Sequence, residues 1–83
     1  MAHFDYKTSG TCSMMIHFDL EEGLVKNVRF DGGCNGNLKA IGKLVEGQTP
    51  DYIIDKLSGN TCGMRSTSCA DQLARAVKQA KEA

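Results

Sequence analysis

In "SMMIHFDLEEGLVKNVRF", residues 13–30, apolar and polar side chains change places at every second position. Met14, Ile16, Phe18 and Leu20 alternate with Met15, His17 and Asp19, the period of a strand with one buried face. A helix cannot use this pattern, because a period of two scatters the apolar set around its circumference. "EEGL" supplies a turn around Gly23, and alternation resumes in "LVKNVRF". There Leu24, Val28 and Phe30 are expected on one face and Val25, Asn27 and Arg29 on the other, with Lys26 out of step. Two such runs joined by a short turn predict an antiparallel hairpin. The preceding "MAHFDYKTSG" reads as an extended or partly ordered lead-in, with His3 in a flexible tail.

After Phe30 the period changes. "DGGCNGN" breaks the alternation, and its glycines permit backbone angles closed to other residues. Leu38, Ile41, Leu44 and Val45 then recur at helical spacing, and Gly47 lies where that helix can end. Thr49-Pro50 reads as an N-cap followed by proline at the first helical position. Ile53, Ile54 and Leu57 form the apolar face of the short helix that follows, and Gly59 closes it. A last helix begins near Ser68, with Asp71 at the offset of a capping box and Leu73, Ala76, Val77 and Ala80 as its apolar stripe. Strands first and helices after predict one α+β domain over residues 1–83: an antiparallel sheet of two or three strands, then three helices packed on one face.

A chain of 83 residues has a small core and a thin stability margin. Its ten basic and ten acidic residues cancel, with no basic block of the kind that nucleic acid selects. No apolar run is long enough to span a membrane, and the start has no apolar region of a secretory signal. The expected compartment is the cytosol. Thiols are kept reduced there, and cysteine clusters more often bind metal or act in redox chemistry than form disulfides.

The four cysteines follow the outline of elements. Cys12 precedes the first clear strand, and Cys34 lies in the glycine loop before the first helix. Cys62 lies in the loop after the short helix, and Cys69 falls in the first turn of the last. All sit at element ends, where chain reversals can gather them at one rim. A helix N-terminus favours the thiolate, the form that ligates metal or attacks electrophiles. Zinc and iron–sulfur sites both accept four cysteines, so the expected ligands are Cys12, Cys34, Cys62 and Cys69, holding Zn2+ or an iron–sulfur cluster. Spacing leaves other uses open, because no C-x-x-C pair is present: loosely packed thiols, disulfides, or a redox pair with Cys69 as nucleophile and Cys62 resolving it.

Other polar residues carry less. Met14 and Met15 fit packing, His17 fits the strand's solvent face, and Asp19, Glu21 and Glu22 fit a solvated strand end. "GGCNGN" lacks the Lys-Ser/Thr ending of a phosphate loop and the spacing of a dinucleotide fingerprint.

"STSCADQLA", from Ser66 to Ala74, resembles the signature of the TSCPD domain family, with Ala70 where the name-giving proline is usual. "VKNVRFDGGCNGN" and the cysteine before the first strand extend the likeness from about Tyr6 to Ala80. This domain also occurs at the C-terminal end of adenosylcobalamin-dependent ribonucleotide reductases. The resemblance therefore implies a link to deoxyribonucleotide synthesis, with that enzyme or nucleic acid as partner. Radical nucleotide reduction itself needs a large barrel, a radical cofactor and a nucleotide pocket, which 83 residues cannot house. The order of elements is also similar to the U-type iron–sulfur cluster assembly scaffolds. Cys12, Cys34 and Cys69 fall on the scaffold cysteines, Ser68 on its histidine ligand, and Met14 near its aspartate, while Cys62 is an added thiol. That likeness implies a scaffold or carrier as an alternative to the accessory metal-binding module.

Overall fold

The alternating stretch forms a hairpin, and the segment before it adds a third strand. The computed structural model describes residues 2–8, 13–32, 35–60 and 67–82. Its elements are β1 (Ala2–Lys7), β2 (Ser13–Glu21), β3 (Leu24–Gly32), α1 (Asn35–Val45), α2 (Pro50–Leu57) and α3 (Cys69–Glu82). The strands form one antiparallel sheet in the order β1-β2-β3. The lead-in is thus a paired strand: Phe4 lies opposite Phe18 and Tyr6 opposite Ile16. Its own alternation was the missed signal, since Phe4 and Tyr6 face the core between outward His3, Asp5 and Lys7. The Phe4 and Phe18 rings stack with centroids 5.4 Å apart.

The β2–β3 turn is a two-residue connection in which Glu22 (φ 53°) and Gly23 (φ 79°) both have positive φ. That is the type I′ geometry, whose twist matches the flanking strands. The expected faces of β3 hold only in part. Val25 is fully buried, in the same core that Val28 and Phe30 pack against. The reason is a bulge: His17 pairs with Arg29 and Asp19 with Lys26, so β3 takes three steps where β2 takes two. Asn27 absorbs the extra residue at φ 56°, and parity reverses across it. Lys26 is out of step for the same reason.

Helix α1 packs against β3 and α3 against β2, while α2 packs on α3. Along α1, Leu38 and Val45 are buried and Ile41 packs on the core, but Leu44 is 75% exposed, so the helix presents a narrower apolar stripe than its spacing predicts. Gly42 lets α1 lie close to β3, because a Cβ there would stand 3.0 Å from the Val28 carbonyl oxygen. The helix ends before Gly47 (φ 76°), and the chain then bridges back to β3: Gly47 N donates to Val25 O at 2.8 Å and Val25 N to Gln48 O at 2.8 Å.

The Thr49 hydroxyl caps α2, accepting from Tyr52 N at 3.2 Å, and Pro50 opens the helix. Gly59 (φ 78°) follows its end, as expected. Ile53 of α2 and Leu73, Ala76, Val77 and Ala80 of α3 meet Ile16, Phe18 and Val25 of the sheet in the core. No helix among the described residues is long and apolar enough to cross a membrane.

Candidate functional site

Of the expected ligands, Cys69 is described: it is the first residue of α3 and is half-buried. Cys12, Cys34 and Cys62 lie outside the described residues. Their described chain neighbours are tied together in two places. Ser13, next to Cys12, is the register partner of Gly32, two residues before Cys34. Asn60, two residues before Cys62, receives a hydrogen bond through its carbonyl oxygen from the Ser68 hydroxyl, beside Cys69.

The second tie belongs to a buried polar knot at the start of α3, made by Thr67, Ser68, Asp71 and Gln72. Ser68 is the N-cap, its Oγ accepting from Asp71 N at 3.1 Å. The capping box is only half formed, because Asp71 does not reach back to its cap. Its carboxylate accepts instead from Gly59 N at 2.7 Å and from the Thr67 hydroxyl, and pairs with Arg75 Nη2 at 3.0 Å. Gln72 Nε2 donates to Thr67 Oγ1 at 3.1 Å. Burial pushes the Asp71 carboxyl up, but the hydrogen bonds from Thr67 and Gly59 and the charge of Arg75 together hold it below its usual value. The Thr-Ser-Cys-Ala-Asp stretch thus ties the start of α3, where Cys69 lies, to the end of α2.

A second constellation was not legible as one. His3, Asp5, His17, Asp19 and Asp31 form a hydrogen-bonded row on the outer face of the sheet. His3 Nδ1 contacts Asp19 Oδ1 at 2.7 Å and Nε2 contacts Asp5 Oδ1 at 2.8 Å. His17 Nδ1 contacts the same Asp5 oxygen at 2.5 Å, and its Nε2 contacts Asp31 Oδ2 at 2.8 Å. The two rings lie nearly parallel, 6.3 Å apart. His3 is therefore held in a strand rather than a tail, and His17 engages two carboxylates rather than solvent alone. Asp19 is buried beneath His3 and accepts from Asn27 Nδ2 at 2.9 Å, so it is no solvated strand end.

The carboxylates raise both imidazoles above their ordinary value: Asp19 and then Asp5 act on His3, and Asp5 and then Asp31 on His17. In return His17 and His3 lower Asp5, while Asn27 and then His3 lower Asp19. These residues are far apart in sequence and meet only through strand register, Asp5 opposite His17 and His3 opposite Asp19.

Across residues 2–81 the chain matches the family model described as the TSCPD domain. No curated protein and no solved structure matches it.

Proposed function

The chain belongs to the TSCPD domain family, and from that premise we propose that it is a small cysteine-ligated metal-binding module, an accessory related to the C-terminal domain of adenosylcobalamin-dependent ribonucleotide reductases. Cys12, Cys34, Cys62 and Cys69 would hold zinc or an iron–sulfur cluster. The observation that carries this reading is the pairwise tethering: Ser13 against Gly32 beside the first two cysteines, and Ser68 against Asn60 beside the last two. In sequence Cys12 and Cys34 thereby adjoin a strand pairing, and Cys62 and Cys69 adjoin a hydrogen bond from a side chain to the backbone, the anchoring that a multi-loop thiolate site requires. An ion bound by four thiolates supplies folding free energy to a domain whose own core is small. The expected service is to deoxyribonucleotide synthesis, through contact with the reductase.

Elemental analysis and ultraviolet–visible spectra of anaerobically purified protein test the ligand set. One colourless zinc per chain identifies a structural site, and sulfur-to-iron absorption identifies a cluster. Chelation, or Cys→Ser at any of the four positions, is expected to melt the domain. Unchanged unfolding temperature after complete metal removal overturns the reading. The Ser68–Asn60 contact also favours a second use of the same thiols, a reversible Cys62–Cys69 disulfide. Equal alkylation rates at all four cysteines of the metal-free protein would remove that alternative.

A further inference from the structure

We propose that the outer face of the sheet carries a second cation site, in which His3 Nε2, His17 Nδ1 and the Asp5 carboxylate bind a divalent late transition metal such as Zn2+. Among the described residues these donor atoms all lie within 4.8 Å of one another. The site uses none of the cysteines as ligands.

Proton counting at the two rings favours an ion. Every ring nitrogen of His3 and His17 faces a carboxylate oxygen at 2.5–2.8 Å. A neutral imidazole has a single N–H, so hydrogen bonds alone satisfy all these contacts only if both rings are cations. Otherwise a lone pair on at least one ring faces an oxygen lone pair. In the tautomer that keeps the proton on the outer nitrogen, Asp19 accepts from His3 Nδ1–H and Asp31 from His17 Nε2–H, and His3 Nε2 and His17 Nδ1 are bare donors directed at the same Asp5 oxygen. A divalent ion among them replaces the two inner protons charge for charge. Carboxylate, imidazole and metal in series is the arrangement that fixes ring orientation and raises ligand basicity in metal sites.

The residues fit in other respects. The imidazoles sit on adjacent paired strands, so the backbone presets their spacing. Tetrahedral zinc with bonds of about 2.0–2.1 Å needs donors about 3.3 Å apart, so Asp5 must withdraw by several tenths of an ångström and the two imidazole nitrogens, within 4.8 Å of each other, must turn onto the ion. The Asp5 side chain is 49% exposed and has room to withdraw. Two imidazoles and one carboxylate leave a coordination position for water. Nitrogen and oxygen donors suit Zn2+, Co2+ or Ni2+ better than a soft ion such as Cu(I).

The test is a Zn2+ titration of the full chain, followed by long-range proton–nitrogen correlation spectra of the imidazoles. His3 Nε2 and His17 Nδ1 are expected to move to metal-bound positions, while His3 Nδ1 and His17 Nε2 stay protonated. At mildly acidic pH, binding is expected to release protons into the buffer. A thiolate-bound ion leaves these nitrogens untouched, so the readout stands whether or not the cysteines hold metal. His17→Ala is expected to bind one Zn2+ fewer than the wild type. Asp31→Asn, which keeps all three ligands, should weaken binding about 10–100-fold with far-ultraviolet circular dichroism unchanged. Imidazole nitrogens that do not shift at saturating Zn2+ overturn the proposal, as does equal affinity and stoichiometry in a folded Asp31→Asn or His17→Ala protein.

Discussion

At the scale of single residues, two positions show how register and backbone angle act where sequence alone is silent. Glu22 has a side chain at φ 53°, a region that asparagine tolerates far better. Glu22→Asn should therefore raise stability by about 0.5–1 kcal/mol, seen as a higher urea midpoint at unchanged slope. A lower midpoint would mean that the turn is not type I′. The histidines give a pH prediction for the metal-free protein. Their folded values lie above the ordinary 6.5, so their contribution is complete below 6.5 and fades as pH rises through the folded values. Asp5 and Asp19 lie below the ordinary 3.8, so theirs is complete above 3.8 and fades as pH falls through the folded values. The row thus stabilises most between about pH 4 and 6.5. Proton NMR titration should place both imidazole midpoints above 6.5, and Asp31→Asn should lower that of His17 more than that of His3. Equal midpoints near 6.5 in wild type and variant would show that the contacts do not form in solution. None of this was legible from His3 or His17 alone, because partners 12 to 16 residues away are joined only by pairing.

At the scale of elements, the start of α3 was half legible. Ser68 and Asp71 announced a capping box, and the cap forms, but the carboxylate turns away to the end of α2 because Gly59 N and Thr67 Oγ1 need an acceptor there. No spacing rule carries that tertiary demand. Ser68→Ala removes the cap and the tie to Asn60 and should cost about 1–2 kcal/mol. Asp71→Ala takes the acceptor from the buried Thr67 hydroxyl and from the Gly59 N–H and should cost about 1–3 kcal/mol. Because Asp71 lies below its ordinary 3.8, its contribution persists above that value and disappears in acid. The gap between wild type and Asp71→Asn should therefore narrow below about pH 4 in denaturant titrations. A gap that is constant with pH would show that the charge of Asp71 plays no part. The bulge at Asn27 makes the same point for β3: alternation located the strand, but a single extra residue moved Val25 from the expected outer face into the core.

At the scale of the whole molecule, the order of elements and the α+β class followed from the change of period after Phe30, since each period admits one kind of element and each needs an apolar face covered. What the periods could not fix is how much of each face the fold covers. Leu44 and Leu73 both sit at helical core spacing, yet Leu44 is 75% exposed and Leu73 is 0% exposed, between Ile53, Val77 and the sheet. Among the described residues α1 packs chiefly against β3, while α3 packs against both β2 and α2. Truncating the two leucines measures that difference directly. A domain of 83 residues has a stability of only about 4–12 kcal/mol. Leu73→Ala opens a cavity among helix and sheet side chains and should cost about 2–5 kcal/mol, lowering the unfolding temperature by at least about 10 °C. Leu44→Ala removes a side chain that already meets water and should fall within about 0.5 kcal/mol of the wild type. Calorimetry on both variants, at one metal loading so that ion binding does not enter the comparison, decides it. Similar losses from both would mean that Leu44 is covered in solution.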